Sequence, residues 1–121
     1  MGGGIEMKKI ALFAFNGDPM CFIHVLLNAL DMHANGVEAK IVLEGAATQL
    51  INELGKTGHP LNPLWEKARQ QDLIDGICKA CSNKMGTLAA AEDLNLKLLD
   101  EMSGHPSMAH YMAEGFEVIT F

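Results

Sequence analysis

Cys78-Lys79-Ala80-Cys81 places two thiols three residues apart. The apolar stretch from Leu73 to Ile77 runs into the first of them, and Ser82 and Asn83 follow with helix N-cap chemistry ahead of an alanine-rich segment. The pair therefore falls where a strand ends and a helix begins. The free N–H groups and dipole of a helix start favour negative charge. A cysteine there loses its proton more readily, and the thiolate is the reactive form. Lys79 and Lys84 would add positive charge nearby. The residue types and their spacing point to sulfur chemistry.

Other chemistries fit the same residues less well. A structural zinc site takes about four ligands. The two cysteines supply half of them, and His59 and His105 stand at no recognised metal-binding spacing, so no metal is expected. A thioredoxin-like dithiol also uses C-x-x-C at a helix start, but the Trp-Cys-Gly-Pro-Cys setting is missing. Asn16-Gly17-Asp18-Pro19 has one glycine and is no phosphate fingerprint, although its helix start can hold a small anion. No cofactor is expected. A free cysteine is most often a small buried hydrophobe, and that is the ordinary reading of Cys21. His59 reads as a loop residue, and His24, His33 and His110 as helix residues without a special role. The eight methionines read as core filling or an oligomer surface.

The elements that position these residues alternate between strand and helix. Residues 8–15 form a continuous apolar run, as in a central parallel strand covered on both faces. Asp18 is an N-cap and Pro19 a first helical residue, and that helix ends near Asn35-Gly36. Residues 37–43 read as the second strand, residues 46–54 as a short helix, and residues 63–71 as another. The third strand spans 73–77, with Asp75-Gly76 as poor strand chemistry inside it. A helix over about 83–94, a short strand at 97–99, a helix opened by Gly104-His105-Pro106 and a last strand over 116–121 complete the chain. The pattern predicts a three-layer α/β domain with a mostly parallel sheet of about five strands.

Ligands of open parallel sheets bind beyond the carboxyl ends of the strands, where the strand order reverses. A flavodoxin-like order puts that reversal between the first and third strands. Cys78 would then share a crevice with Asn16, Gly17, Asp18 and Cys21, with Ser82 and Asn83 at the adjoining helix start, and His105 would face the same end.

The chain has 121 residues, enough for one domain, expected over 8–121 behind a disordered leader at 1–7. Its net charge of −6 is spread along the sequence without a basic block, which argues against nucleic acid. No apolar run nears the roughly 20 residues of a membrane span. Three cysteines without a signal-peptide pattern indicate free thiols in a reducing compartment, the cytoplasm.

Taken together, the first strand and helix, the segment Cys78 to Gly86, and the closing Glu114-Gly115-Phe116-Glu117-Val118-Ile119-Thr120-Phe121 resemble the DsrE/DsrF-like family, which includes TusD and YchN-type sulfur-relay proteins. The resemblance implies a flavodoxin-like subunit assembling into homotrimers or hexamers. It also implies that Cys78 carries sulfur as a persulfide between donor and acceptor proteins, with Cys81 as a resolving thiol or a neighbour; His105, facing the same end of the sheet, is expected to hold or accept a proton there. Two alternatives compete: a non-catalytic oligomeric module binding a small ligand at the same crevice, and a redox or metal dithiol at Cys78 and Cys81.

Overall fold

In a computed structural model that describes residues 7–121, five strands form one all-parallel sheet. The strands are β1 (Lys9–Ala14), β2 (Glu38–Leu43), β3 (Ile74–Cys78), β4 (Leu98–Leu99) and β5 (Glu117–Thr120). Of the expected leader, only Met7 falls within the described residues, and it is exposed. The helices are α1 (Pro19–Ala34), α2 (Ile51–Leu54), α3 (Asn62–Gln70), α4 (Lys79–Met85), α5 (Leu88–Asp93) and α6 (Met108–Ala113), with a 3-10 turn over Gly45–Leu50. Among the described residues, no helix is long and apolar enough to cross a membrane.

The unbroken apolar sequence of β1 has a direct cause: both faces of the strand are covered. Ile10, Leu12 and Ala14 enter the larger core with Phe22, Val25, Leu26 and Ala29 of α1 and Trp65 and Ala68 of α3. Ala11 and Phe13 face the other way, into a smaller cluster with Val42, Leu99, Tyr111 and Phe116. Helices on the two sides of the sheet make three layers, a flavodoxin-like α/β architecture. Asp18 caps α1 by accepting the Met20 N–H at 2.9 Å, and Pro19 takes a first-turn position.

The strand order is β4-β3-β2-β1-β5. This corrects the order expected from the sequence. β2 lies between β1 and β3, so the reversal falls between β1 and β5 and not between the first and third strands. The segment expected as one helix over 83–94 is also two. α4 starts earlier, at Lys79, and ends at Met85, capped by Gly86, whose φ of +75° a side-chain-bearing residue rarely adopts. α5 then restarts at Leu88.

Asp75-Gly76 is poor strand chemistry because β3 is irregular there. Ile41 pairs with Ile74, but the next residue, Val42, pairs with Gly76, which leaves Asp75 as an extra residue. Its carboxylate accepts a hydrogen bond from the Tyr111 hydroxyl and lies 3.6 Å from Lys40 Nζ. Burial, then hydrogen bonding to Asp75, raises the Tyr111 phenol above its ordinary value of about 10. The folded protein thus keeps a proton that the unfolded chain gives up. This contribution is fully present below pH ~10 and is lost as pH climbs above it. Tyr111→Phe is expected to cost about 2 kcal/mol in urea denaturation at pH 7, the range for a hydrogen bond to a charged group. The two proteins should converge in stability at strongly alkaline pH. Equal stability at pH 7 would remove this bond from the account.

Candidate active site

Cys78 is both the last residue of β3 and the N-cap of α4. Its backbone is extended, at φ −61° and ψ 121°, and its sulfur accepts the Cys81 N–H at 3.4 Å. The thiol therefore fills the capping place that Ser82 and Asn83 were expected to fill. Ser82 instead sits inside the first turns, fully buried, and its hydroxyl donates to the Cys78 carbonyl at 2.7 Å.

His105 is delivered from the loop after β4. Met102 and His105 form a backbone bridge that closes a tight turn. Gly104, within that turn, has φ +90°, and a Cβ there would stand 3.2 Å from the Cβ of Ala80. Its carbonyl accepts the Ala80 N–H at 2.9 Å, so the turn is fastened to the first turn of α4. The result puts His105 Nδ1 at 3.1 Å from Cys78 Sγ and 3.8 Å from Cys81 Sγ. Cys78 is fully buried, while Cys81 and His105 are half-buried.

The charge balance differs from that expected of a strand-end cysteine at a helix start. The Cys78 thiol is pushed up to about 12, by burial first; the Cys81 N–H pulls the other way, while Cys81 and Glu44 push further up. Removing a sulfur from water outweighs one N–H at the start of a seven-residue helix. Nor is Lys79 spent on the sulfur, since it pairs with Asp100 at 3.7 Å. Burial therefore favours the protonated thiol, whose ionisation calls for a base. His105 Nδ1 stands at hydrogen-bonding distance for that task.

Glu44 is a site residue that the sequence reading passed over as part of a turn. Leu43 pairs with Ile77, so Glu44 is next in register beside Cys78. Its side chain is 9 % exposed, and Oε2 is buried without a hydrogen-bond partner among the described residues. Burial raises its carboxyl group, and the charge of His105 works in the opposite direction. An acid directly after the apolar run 41–43 was the available signal.

Cys78, Cys81 and His105 are thus brought together, with ligand atoms all within 4.8 Å of one another. Asn16, Gly17, Asp18 and Cys21 are not part of this group. They follow β1, on the far side of β2 from Cys78. Asn16 Oδ1 accepts the Asp18 N–H at 2.8 Å, and Cys21 is exposed on the first turn of α1. β2 separates the end of β1 from that of β3, and Gly17 lines a cleft with Gln49, Lys56 and Met85 of α4. Asn83 is exposed and lines a cleft of about 430 Å³ with Lys79, Ala80, Leu88, Asp100 and Gly104. That cleft opens over the contact between α4 and the His105 turn. His59 accepts the Leu61 N–H at 3.0 Å and is the loop residue it was read to be.

Comparison with known proteins agrees with this architecture. The chain is 32 % identical over 97 residues to an uncharacterized protein of Methanocaldococcus jannaschii, covering 80 % of this chain and 77 % of that one. An uncharacterized protein of Archaeoglobus fulgidus is 46 % identical over 41 residues, covering 34 % of this chain and 67 % of that one. A solved structure of a conserved protein of unknown function from Bacteroides thetaiotaomicron shares the fold. Its TM-score is 0.66 at 14 % identity, with 94 % of this chain and 95 % of that chain covered. Residues 8–121, the whole sheet and the thiol site with it, match the DsrE/DsrF-like family, and the chain belongs to that family.

Proposed function

We propose that this protein is a sulfur carrier that holds sulfane sulfur as a persulfide on Cys78. The observation that carries the reading is the Cys78 sulfur at the end of a central strand, 3.1 Å from a histidine nitrogen. Membership of a family that includes sulfur-relay proteins supports it.

The chemistry balances as follows. His105 Nδ1 takes the thiol proton of Cys78. The thiolate attacks the terminal sulfur of a donor persulfide, R–S–SH, forming a sulfur–sulfur bond to Cys78 and breaking the donor's. The proton held by His105 goes to the departing thiolate, giving R–SH and Cys78–S–SH. An acceptor thiolate then takes the outer sulfur in the same way and returns Cys78 to its starting state. Net oxidation is zero, because sulfane sulfur moves from one thiol to another. Cys78 is fully buried, so a small donor, or a partner that opens the His105 turn, suits this site.

We further propose that the subunit works as a homo-oligomer, a trimer or hexamer, in a reducing cytoplasm. Met20, Leu27, Met102, Met112 and Ile119 are large apolar side chains left exposed on the single subunit, and three free cysteines suit reducing conditions.

Sulfane sulfur is released by cyanide as thiocyanate, which gives a direct test. Protein loaded from a persulfide donor and freed of small molecules should yield about one thiocyanate per chain. Cys78→Ser treated identically should yield none. Release from the variant at the wild-type level would refute the carrier role of Cys78.

A further inference from the structure

The orphaned carboxylate of Glu44 has no part in the transfer chemistry above. An oxygen buried without a partner costs free energy unless something satisfies it. Next to residue 44 in the β2–β3 register stands Cys78, one of a set of three soft and borderline donors. Cys78 Sγ, Cys81 Sγ and His105 Nδ1 all fall within 4.8 Å of one another, with sulfur-to-nitrogen separations of 3.1 and 3.8 Å. Two ligands on a tetrahedral zinc ion, one sulfur and one nitrogen, stand about 3.6 Å apart given ordinary bond lengths. The two observed sulfur-to-nitrogen separations bracket that value, each within about half an ångström of it.

We propose that Cys78, Cys81 and His105 bind one zinc ion or a similar thiophilic divalent cation, and that the Glu44 carboxylate, which lies outside that cluster, swings in as the fourth ligand. The donor set of two thiolates, one imidazole and one carboxylate belongs to zinc and cobalt and not to magnesium or calcium. Each ligand comes from a different constraint of the fold. Cys78 ends β3, Cys81 lies one helical turn on in α4, and His105 is held by the turn fastened to Ala80. Glu44 follows β2 at the position next to Cys78. Binding releases the two thiol protons to solvent. It also engages both sulfurs, so metal occupancy and persulfide loading exclude one another. The inference goes beyond the carrier reading and does not need it, because the ligands are the same whether or not sulfur is ever transferred.

Cobalt(II) titration of the metal-free, reduced protein under anaerobic conditions is the test. The wild type should show a thiolate-to-cobalt charge-transfer band and the visible bands of a tetrahedral centre, ending at one cobalt per chain and erased by zinc. Cys81→Ser and His105→Ala should each weaken binding by more than about 100-fold, beyond the effect of losing an outer-shell partner. Glu44→Gln should weaken it by about tenfold or more. Circular dichroism and thermal melting identify any variant that has not folded. For that case the wild type alone gives a second reading, since zinc should protect Cys81 from iodoacetamide. Absence of the charge-transfer band up to millimolar cobalt overturns the site, as does an unchanged titration in folded Cys81→Ser. Unchanged binding in Glu44→Gln overturns the four-ligand assignment. No sulfur donor is present in these experiments, so a failure here leaves the thiocyanate assay to decide the carrier role separately.

Discussion

His105→Ala should slow sulfur loading of Cys78 by about 10²–10⁴-fold near pH 7, the usual contribution of a positioned acid–base group. A thiol held well above its ordinary range by burial is overwhelmingly protonated at pH 7. The carrier reading therefore cannot rest on a pre-formed thiolate. It rests on a base within reach, and Nδ1 of His105 is 3.1 Å from the sulfur. In the variant, hydroxide has to remove the proton, so the loading rate should rise about tenfold per pH unit toward pH 12. The wild-type profile should be much flatter over the same range, and the two should approach one another at high pH. Stopped-flow or quenched mass measurements across that range would show it. A variant that loads at the wild-type rate at pH 7 would remove His105 from the chemistry.

Gly76→Ala should destabilise the protein by about 3 kcal/mol, the upper part of the range for overpacking. A Cβ at Gly76 would sit 2.6 Å from the Lys97 carbonyl oxygen and 2.7 Å from Leu99 Cγ. Neither can yield without moving the edge strand. The Lys97 carbonyl accepts the Ile77 N–H at 2.9 Å, and Leu99 pairs with Cys78. Pushing β4 away carries with it the turn that presents His105. Urea denaturation should show the stability loss, and sulfur loading should fall in the fraction that remains folded. A change below about 0.5 kcal/mol would mean that β4 accommodates the methyl freely, against the packing described here.

The site was partly legible in the sequence, and the legible part was local. Cys78 at a strand end with a helix following depends on neighbouring residues, as does the Asp18-Pro19 start of α1, and both are present. His105 was placed at the correct end of the sheet, although its Nδ1 contact with both sulfurs depends on Gly104 packing against Ala80, 24 residues earlier in the chain. Strand order is set by long-range packing that periodicity does not record. The assumption of a reversal between β1 and β3 therefore drew Asn16, Gly17, Asp18 and Cys21 into one crevice with Cys78, although β2 separates the two strand ends. The expected low thiol pKa failed for a related reason. Helix position is visible in sequence, but full burial of Cys78 is not, and burial dominates. Glu44 was missed because its meaning lies in the residue beside it across the sheet, which only the register supplies.

Intact mass of the wild type and of Cys78→Ser, before and after incubation with a sulfane-sulfur donor, tests the central claim most directly. The account predicts a gain of about 32 Da, one sulfur atom, in the wild type, removed by reductant, and no gain in the variant. An equal gain in Cys78→Ser, or none in either protein, would contradict it.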